Sequence, residues 1–194
     1  MKIIIADKSH SIYAKDICDT IADSANVRGT GIAKRTPEYV ITKMENGNAV
    51  IALDGNTFAG FCYIEAWGHG KFVANSGLIV HPDYRGAGLA KKIKHKIFEH
   101  SRKKFPDAKV FSITTGLAVM KLNSDLGYKP VPFSELTDDQ SFWDGCQTCK
   151  NYDVLTRTNR KLCLCTGMLY DPKKAKNKVT KKVKEKTFNR LKKN

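Results

Sequence analysis

The chain has 194 residues, enough for one domain with a hydrophobic core or for one domain with a small appendage. No apolar run approaches the roughly 20 residues that a membrane-spanning helix needs, so we expect no association with a membrane. The start, MKIIIADKSH, lacks the long apolar core of a signal peptide, and we expect a cytoplasmic protein. The net charge is +15, and residues 171–194 alone carry +9, so most of the excess lies in a tail.

The first eighty residues contain patterns of both helix and strand. Residues 11–24 place apolar side chains on one helical face. Thr36-Pro37 predicts a helix start, with Thr as N-cap and Pro in the first turn. Asp54-Gly55-Asn56 is typical of a turn between two hairpin strands. The predicted elements are a strand at 2–6, helices at 11–24 and 36–45, and strands at 48–54, 57–67 and 72–80.

The second half continues the alternation. A helix is predicted to about Lys104, a strand at 109–114, a helix at 117–126 ending at Gly127, and a strand at 128–133. The order predicts a mixed α/β (α+β) fold around a mostly antiparallel sheet flanked by helices. We expect a main domain at 1–133, a cysteine-rich extension packed on it at 134–172, and a basic tail at 173–194.

The stretch HPDYRGAGLAKKI, residues 81–93, joins a predicted strand to a predicted helix. Gly86 and Gly88 let the backbone approach a ligand, and the helix start offers unpaired amides to an anion. No Gly-Lys-Ser/Thr follows, which excludes a simple P-loop. The preceding strand belongs to a meander, which argues against a dinucleotide site of the Rossmann type. The turn is therefore predicted to hold a pyrophosphate on another kind of sheet.

Two motifs resemble those of the GCN5-related N-acetyltransferase (GNAT) family. Arg85-Gly-Ala-Gly-Leu-Ala90 is similar to the acyl-CoA signature, and Leu78–Tyr84 matches its usual lead-in. Leu122–Pro130 resembles the second motif, a helix that ends in Leu-Gly-Tyr and runs into a strand. The resemblance implies the GNAT fold and an acetyl-CoA (or succinyl-CoA) donor. The cofactor-binding residues it implies are Leu78, Ile79 and Val80 beside the pantetheine, Arg85, and the amides of Gly86, Ala87, Gly88, Leu89 and Ala90 at the pyrophosphate.

The resemblance gives no complete set of catalytic groups. Asn123 stands where many family members have a tyrosine acid, so the thiolate would leave through water or another group. Glu65 and His69 are the candidate bases, and the alternatives are a strand-end carboxylate and a loop histidine without catalytic roles. Ser76, with Asn75 beside it, is predicted to line the same site.

The basic loop at residues 26–35 is the clue to the acceptor. In this fold the segment between the first two helices commonly covers the acceptor site, and Arg28, Lys34 and Arg35 would bind carboxylates there. A solvated basic loop is an equal alternative. Thr114 and Thr115 are predicted to orient the substrate. These residues favour an acidic amino acid over a polyamine or an aminoglycoside.

The segment from Phe142 to Pro172 resembles a bacterial GNAT subgroup associated with arginine biosynthesis. In that context glutamate is N-acylated, so the resemblance implies glutamate N-acetyltransferase or N-succinyltransferase activity. Transfer to a protein amine is an alternative.

Four clustered cysteines have spacing that suggests a metal site. Cys146-x-x-Cys149 and Cys163-x-Cys165 could supply four thiolates to a structural zinc. Reduced buried cysteines and a disulfide or redox pair are the alternatives.

The basic tail supports a rival class of function. A module that binds RNA or a ribosome would use such a charge, although a solvated tail is favoured. A homodimer is compatible with the sequence, which does not indicate the oligomeric state.

Overall fold

A seven-stranded mixed sheet forms the centre of the computed structural model, which describes residues 1–28 and 34–175, without the side chain of Arg28. The strands are β1 Lys2–Ile5, β2 Ala49–Asp54, β3 Thr57–Trp67, β4 Phe72–Val80, β5 Lys109–Thr114, β6 Lys129–Val131 and β7 Thr166–Tyr170. Their order is β1-β2-β3-β4-β5-β7-β6, and only the β4–β5 pair is parallel. The predicted α/β fold with a mostly antiparallel sheet is confirmed.

Helices cover both faces of the sheet. They are α1 Ala14–Arg28, α2 Pro37–Glu45, α3 Leu89–Lys104, α4 Leu117–Asp125, α5 Gln140–Asp144 and α6 Tyr152–Arg157, and a 3-10 turn at Lys8–Tyr13 precedes α1. Helices α1 and α2 bury Ile17 and Val40 against one face. Helix α3 buries Ile93 and Ile97 against the other face. No helix in these described ranges has the length and apolarity to cross a bilayer.

Local sequence signals fixed several helix and turn boundaries. The Thr36 side chain accepts a hydrogen bond from the Tyr39 amide at the start of α2, and Pro37 occupies the first turn. Gly127 follows α4 with φ +89°, a backbone conformation that glycine adopts without strain. Both capping predictions are confirmed. They can be made from the sequence because a helix cap depends on neighbouring residues alone.

Strands β4 and β5 separate to form a fork. They pair only from Phe72 to Ala74, opposite Lys109–Phe111. Beyond Ala74, β4 continues to Val80 without pairing with β5 in the residues that the structure describes. A bulge at Gly77 bends β4 in this part, because Tyr63 is opposite Ser76 whereas Phe61 is opposite Ile79. The fork leaves one side of β4 open to a ligand.

The cysteine-rich segment contributes a strand to the sheet. Strand β7 lies between β5 and β6, so the residues that the sequence analysis assigns to an extension complete the sheet. The short run TGMLY carries no turn signal that would mark it as a sheet strand, and its partners are far away in sequence. The same segment builds a third core, in which Trp143 and Leu155 pack with Phe111 and Leu169. Residues 176–194, which include most of the predicted tail, lie outside the described part of the chain.

Candidate active site

A cavity of about 570 Å³ occupies the fork between β4 and β5. It brings together many of the residues that the sequence analysis selected. Those that line it are Lys34, Arg35, Glu65, Asn75, Ser76, Leu78, Ile79, Thr114, Thr115, Cys146, Cys149, Cys163 and Cys165. Residues distant in sequence therefore share one cavity.

Glu65 and Tyr39 form a hydrogen-bonded pair in the cavity wall. Glu65 lies near the end of β3 with 8% of its surface exposed, and the Tyr39 hydroxyl donates to its Oε1. Burial raises the pKa of Tyr39, and the nearby Tyr63 and Glu65 raise it further, so Tyr39 stays protonated and acts as a donor. Glu65 is thus a carboxyl group that this hydrogen bond orients in the cavity wall. Sequence reasoning missed Tyr39, because within the sequence of α2 this tyrosine is not distinguished from the other apolar residues of the helix.

Arg35 places a guanidinium on the same side of the sheet. Its Nε donates to the Tyr63 hydroxyl at 2.5 Å, and its Nη1 donates to the Lys34 carbonyl at 3.0 Å. The guanidinium carbon lies 5.3 Å from the centroid of the Tyr39 ring. Within residues 34–175 no hydrogen bond uses Nη2, which leaves donor capacity for a ligand carboxylate. The prediction that Arg35 belongs to the acceptor site has this geometry in its favour.

Lys94 reaches the cavity from the opposite face. It lies on α3 with 1% of its surface exposed, and its Nζ contacts the Asn75 Oδ1 at 3.5 Å. Asn75 also accepts from the Tyr128 hydroxyl at 3.1 Å and donates to the Ser101 hydroxyl at 2.8 Å. Burial lowers the pKa of Lys94 to about 8.

Lys94 was missed by sequence reasoning because it lies in the run KKIKHK, which has the composition of a solvated helix face. The available signal was its spacing. Ile97 and Ser101 follow three and seven residues later and lie on the same buried face of α3.

The turn before α3 has the backbone geometry that an anion site requires. Gly86 has φ +81° and Gly88, the N-cap of α3, has φ +73°; a Cβ at either would meet nothing within 4 Å. No side chain caps this helix start, so the amides near Leu89 and Ala90 are available to a ligand.

Arg85 fastens this turn to the rest of the protein. Its Nε donates to the Val80 carbonyl at 3.1 Å, and its Nη2 donates to the Ser24 hydroxyl of α1 at 2.9 Å. Arg85 therefore ties the end of β4 to α1. These contacts indicate that Arg85 positions the turn, in addition to its predicted role in binding the cofactor.

Two predicted catalytic residues lie away from the cavity. His69 is exposed in the β3–β4 turn with φ +55° and borders a separate hollow beside Lys71 and Phe105. Asn123 is completely buried on α4, where its Nδ2 contacts the Met168 sulfur at 3.7 Å. The loop at 29–33 and the Arg28 side chain, predicted to bind the acceptor, lie outside the described part.

The four clustered cysteines form one wall of the cavity. Burial raises the pKa of Cys146 to about 11 and that of Cys165 to about 12, and the neighbouring thiols contribute to both shifts. All six cysteines are free thiols. No group of three or more His, Cys, Asp or Glu side chains is placed to hold a metal ion in the described residues. The arrangement therefore does not support the predicted zinc site.

The family model described as "Acetyltransferase (GNAT) family" matches residues 18–118, which is more than half of the chain. The chain belongs to the GNAT family of acetyltransferases. The matched region contains β2 to β5, the turn at residues 81–88 and α3, which together form the fork and the uncapped helix start. A comparison with curated proteins gave no match.

Solved structures share the fold at low sequence identity. N-acetylglutamate synthase from Neisseria gonorrhoeae, complexed with coenzyme A and N-acetyl-glutamate, is 15% identical with a TM-score of 0.64; the match covers 88% of this chain and 34% of that chain. This chain thus spans about a third of that enzyme. A GNAT acetyltransferase from Staphylococcus aureus is 13% identical, with a TM-score of 0.62 and coverage of 88% and 98%. A phosphinothricin acetyltransferase from Sinorhizobium meliloti, in complex with AcCoA, is 16% identical, with a TM-score of 0.58 and coverage of 88% and 87%.

Proposed function

We propose that the protein is an acyl-CoA-dependent N-acyltransferase that transfers an acetyl or succinyl group to the amine of a small acidic amino acid, glutamate in arginine biosynthesis. One observation carries the proposal. The open edge of β4, the oriented carboxylate of Glu65 and the guanidinium of Arg35 border a single cavity.

The donor site combines two general modes of recognition. The backbone of β4 at residues 78–80 is open on the side facing the fork, so an extended pantetheine adds to it as another strand. The amides of residues 86–90 receive the pyrophosphate at the start of α3, where the helix dipole favours negative charge. The 3-10 turn at Pro82–Tyr84 connects the two sites, so one cofactor spans both.

The chemistry requires a base for the acceptor amine. Glu65, fixed by the Tyr39 hydroxyl, takes a proton from the ammonium directly or through a water. The neutral amine attacks the thioester carbonyl, the attacking nitrogen loses a second proton to solvent, and collapse of the tetrahedral intermediate breaks the C–S bond. The thiolate leaves with solvent as its proton source, because Asn123 is buried outside the cavity. Ser76 lies on the β4 bulge beside this reaction path.

The acceptor is assigned from charge. Arg35 and Lys34 border the cavity on the face that carries Glu65. The amine of the substrate faces the Glu65 carboxylate, and the acid groups of the substrate face the two cations. The N. gonorrhoeae structure was solved with N-acetyl-glutamate, which supports glutamate as the acceptor on a related fold.

Release of free CoA tests the proposal. The protein is incubated with acetyl-CoA or succinyl-CoA and a panel of amino acids that includes glutamate, aspartate, glutamine and lysine. Glutamate is expected to give the highest rate. Glu65→Gln is expected to lower kcat about 100- to 10,000-fold, the usual contribution of a general base, with little change in donor affinity.

The matched control is Glu99→Gln, an exposed carboxylate on α3, which is expected to leave kcat unchanged. Absence of CoA release with every amino acid would overturn the proposed activity. Full activity of Glu65→Gln would remove Glu65 from its role as base.

A further inference from the structure

Lys94 is a buried cation without an acidic partner. Its Nζ has the Asn75 Oδ1 at 3.5 Å and the Tyr128 ring centroid at 5.2 Å, and no ion pair in residues 1–28 or 34–175 includes it. The nearby Cys62 is buried, which raises its pKa to about 11, so this thiol stays neutral and does not compensate the charge. The protein thus leaves a positive charge uncompensated in its interior.

Such an arrangement is costly unless a ligand supplies the missing charge. Removing an ammonium from water is energetically costly in a protein, so lysines without partners are rarely found fully buried. Lys94 differs from an ordinary core residue because it lines the cavity in the fork. A ligand bound in that cavity can place an anionic group beside the Nζ.

The position of Lys94 excludes two anions of the proposed reaction. The pyrophosphate lies at Leu89, and five residues of α3 separate that end from Lys94, a rise of about 7–8 Å along the helix. The carboxylates of the acceptor face Arg35 and Lys34 on the opposite side of the sheet, where α1 and α2 pack. Neither the pyrophosphate nor the acceptor carboxylates therefore compensate the charge of Lys94 beside Asn75.

The remaining group is the acyl chain. A pantetheine that pairs with residues 78–80 directs its thioester toward Gly77 and Ser76, and the next residue of β4 is Asn75, which Lys94 contacts. One residue of a strand spans about 3.3 Å, so an acyl chain longer than acetyl by one methylene and a terminal carboxylate reaches Asn75 and Lys94.

We propose that Lys94 binds the terminal carboxylate of a dicarboxylic acyl donor, so that the enzyme selects an acyl-CoA of the succinyl class over uncharged acyl-CoAs. This inference rests on the proposed acyltransferase function and names its donor. Asn75 holds the ammonium at the end of the acyl site, and Ser101 and Tyr128 hold Asn75. Lys94 is thus a specificity-determining residue, whereas Glu65 performs the proton transfer.

The test compares donors that differ only in charge. Binding of succinyl-CoA and butyryl-CoA, which have the same chain length, is measured by calorimetry without acceptor, and kcat/KM is then measured with glutamate. The wild-type protein is expected to prefer succinyl-CoA about 10- to 100-fold, the range of a charged hydrogen bond. Lys94→Met is expected to abolish or invert that preference. Lys96→Met, an exposed lysine on the same helix, is the control and is expected to keep it.

Three results would overturn the inference. The wild-type protein binds butyryl-CoA as well as succinyl-CoA; Lys94→Met keeps the preference; or Lys94→Met weakens every donor equally, which would indicate a role in the reaction step or in folding. The wild-type comparison needs no variant and stays decisive if Lys94→Met fails to fold. Failure of the proposed function gives a different result, because the protein would then bind donors without transferring the acyl group to any amine, and no free CoA would appear.

Discussion

Burial changes the proton affinity of single side chains around the cavity. Burial raises the pKa of Tyr39 and Tyr63 and keeps both hydroxyls protonated beside Glu65 and Arg35. It also lowers the pKa of Lys43, whose Nζ lies 4.5 Å from the Tyr39 ring centroid. The two faces of the sheet differ in charge balance: Arg35 has Glu65 nearby, whereas Lys94 has no carboxylate partner in the described chain.

The cavity cysteines allow a test of these environments by pH. Only the thiolate reacts with iodoacetamide, so Cys146, with its pKa raised to about 11, and Cys165, at about 12, are expected to react slowly at pH 7.5. Their rates should rise about tenfold per pH unit between pH 7.5 and 9.5, since both groups remain mostly protonated over this window. Quantitative mass spectrometry of the alkylated peptides measures the rates.

Glutathione under the same conditions is the control, because its exposed thiol has an ordinary pKa and its rate levels off. A rate at Cys146 or Cys165 that levels off by pH 9 would show that burial does not hold these thiols protonated. Protection of both by bound acyl-CoA would additionally place the donor next to this wall.

At the scale of the elements, the shape of β4 decides where a ligand fits. The strand leaves β5 after Ala74 and bulges at Gly77, which has φ +64°. A Cβ added at Gly77 would lie 2.3 Å from the Tyr63 Cε1, closer than any real contact. The bulge, the Tyr63 ring and the hydrogen bond from Arg35 therefore form one packed unit beside the proposed path of the thioester.

Gly77→Ala is expected to lower the free energy of unfolding by about 1–3 kcal/mol, because the new methyl group overlaps a buried ring, and to weaken acyl-CoA binding. Gly55→Ala is the control: it has a similar φ of +59° but meets nothing within 4 Å, so only backbone strain of about 1 kcal/mol applies. Denaturant unfolding and calorimetry give the two quantities. Equal effects of the two substitutions on stability and on binding would contradict this account of the bulge.

At the scale of the whole molecule, the cysteine-rich segment is part of the main sheet. Strand β7 pairs with β5 from Val110 to Thr114 and with β6 through Gly167 to Leu169. Residues of the same segment pack against Phe111 and Ala74 in the third core. The wall of the cavity and the edge of the sheet thus come from one stretch of chain.

A chain that ends at Phe133 is expected to lose cooperative unfolding, because it leaves β5 and β6 without their shared partner and opens the third core to water. A chain that ends at Ala175 keeps all seven strands and is expected to melt cooperatively. Circular dichroism during heating compares the two. A 1–133 chain that melts as sharply as the longer one would show that residues 134–172 are a separable extension.

The sequence by itself determined the features that depend on neighbouring residues. Thr36-Pro37 starts a helix, Asp54-Gly55-Asn56 closes a hairpin, and the glycines at 86 and 88 adopt positive φ angles before α3, as the predicted anion site needs. Together with the Arg85–Ala90 motif these were enough for the fold and the family. Their physical basis is local: allowed φ angles, unpaired helix amides and the 3.6-residue period.

Only the tertiary structure decided which side chains share the cavity. The pairing of Tyr39 with Glu65, the approach of Lys94 to Asn75 and the insertion of β7 depend on contacts between distant segments and on strand register. The same dependence left His69 and Asn123 outside the cavity, although their positions in sequence made them candidates. A one-residue change of register moves a side chain to the other face of a sheet, and no local pattern specifies the register of β7 against β5.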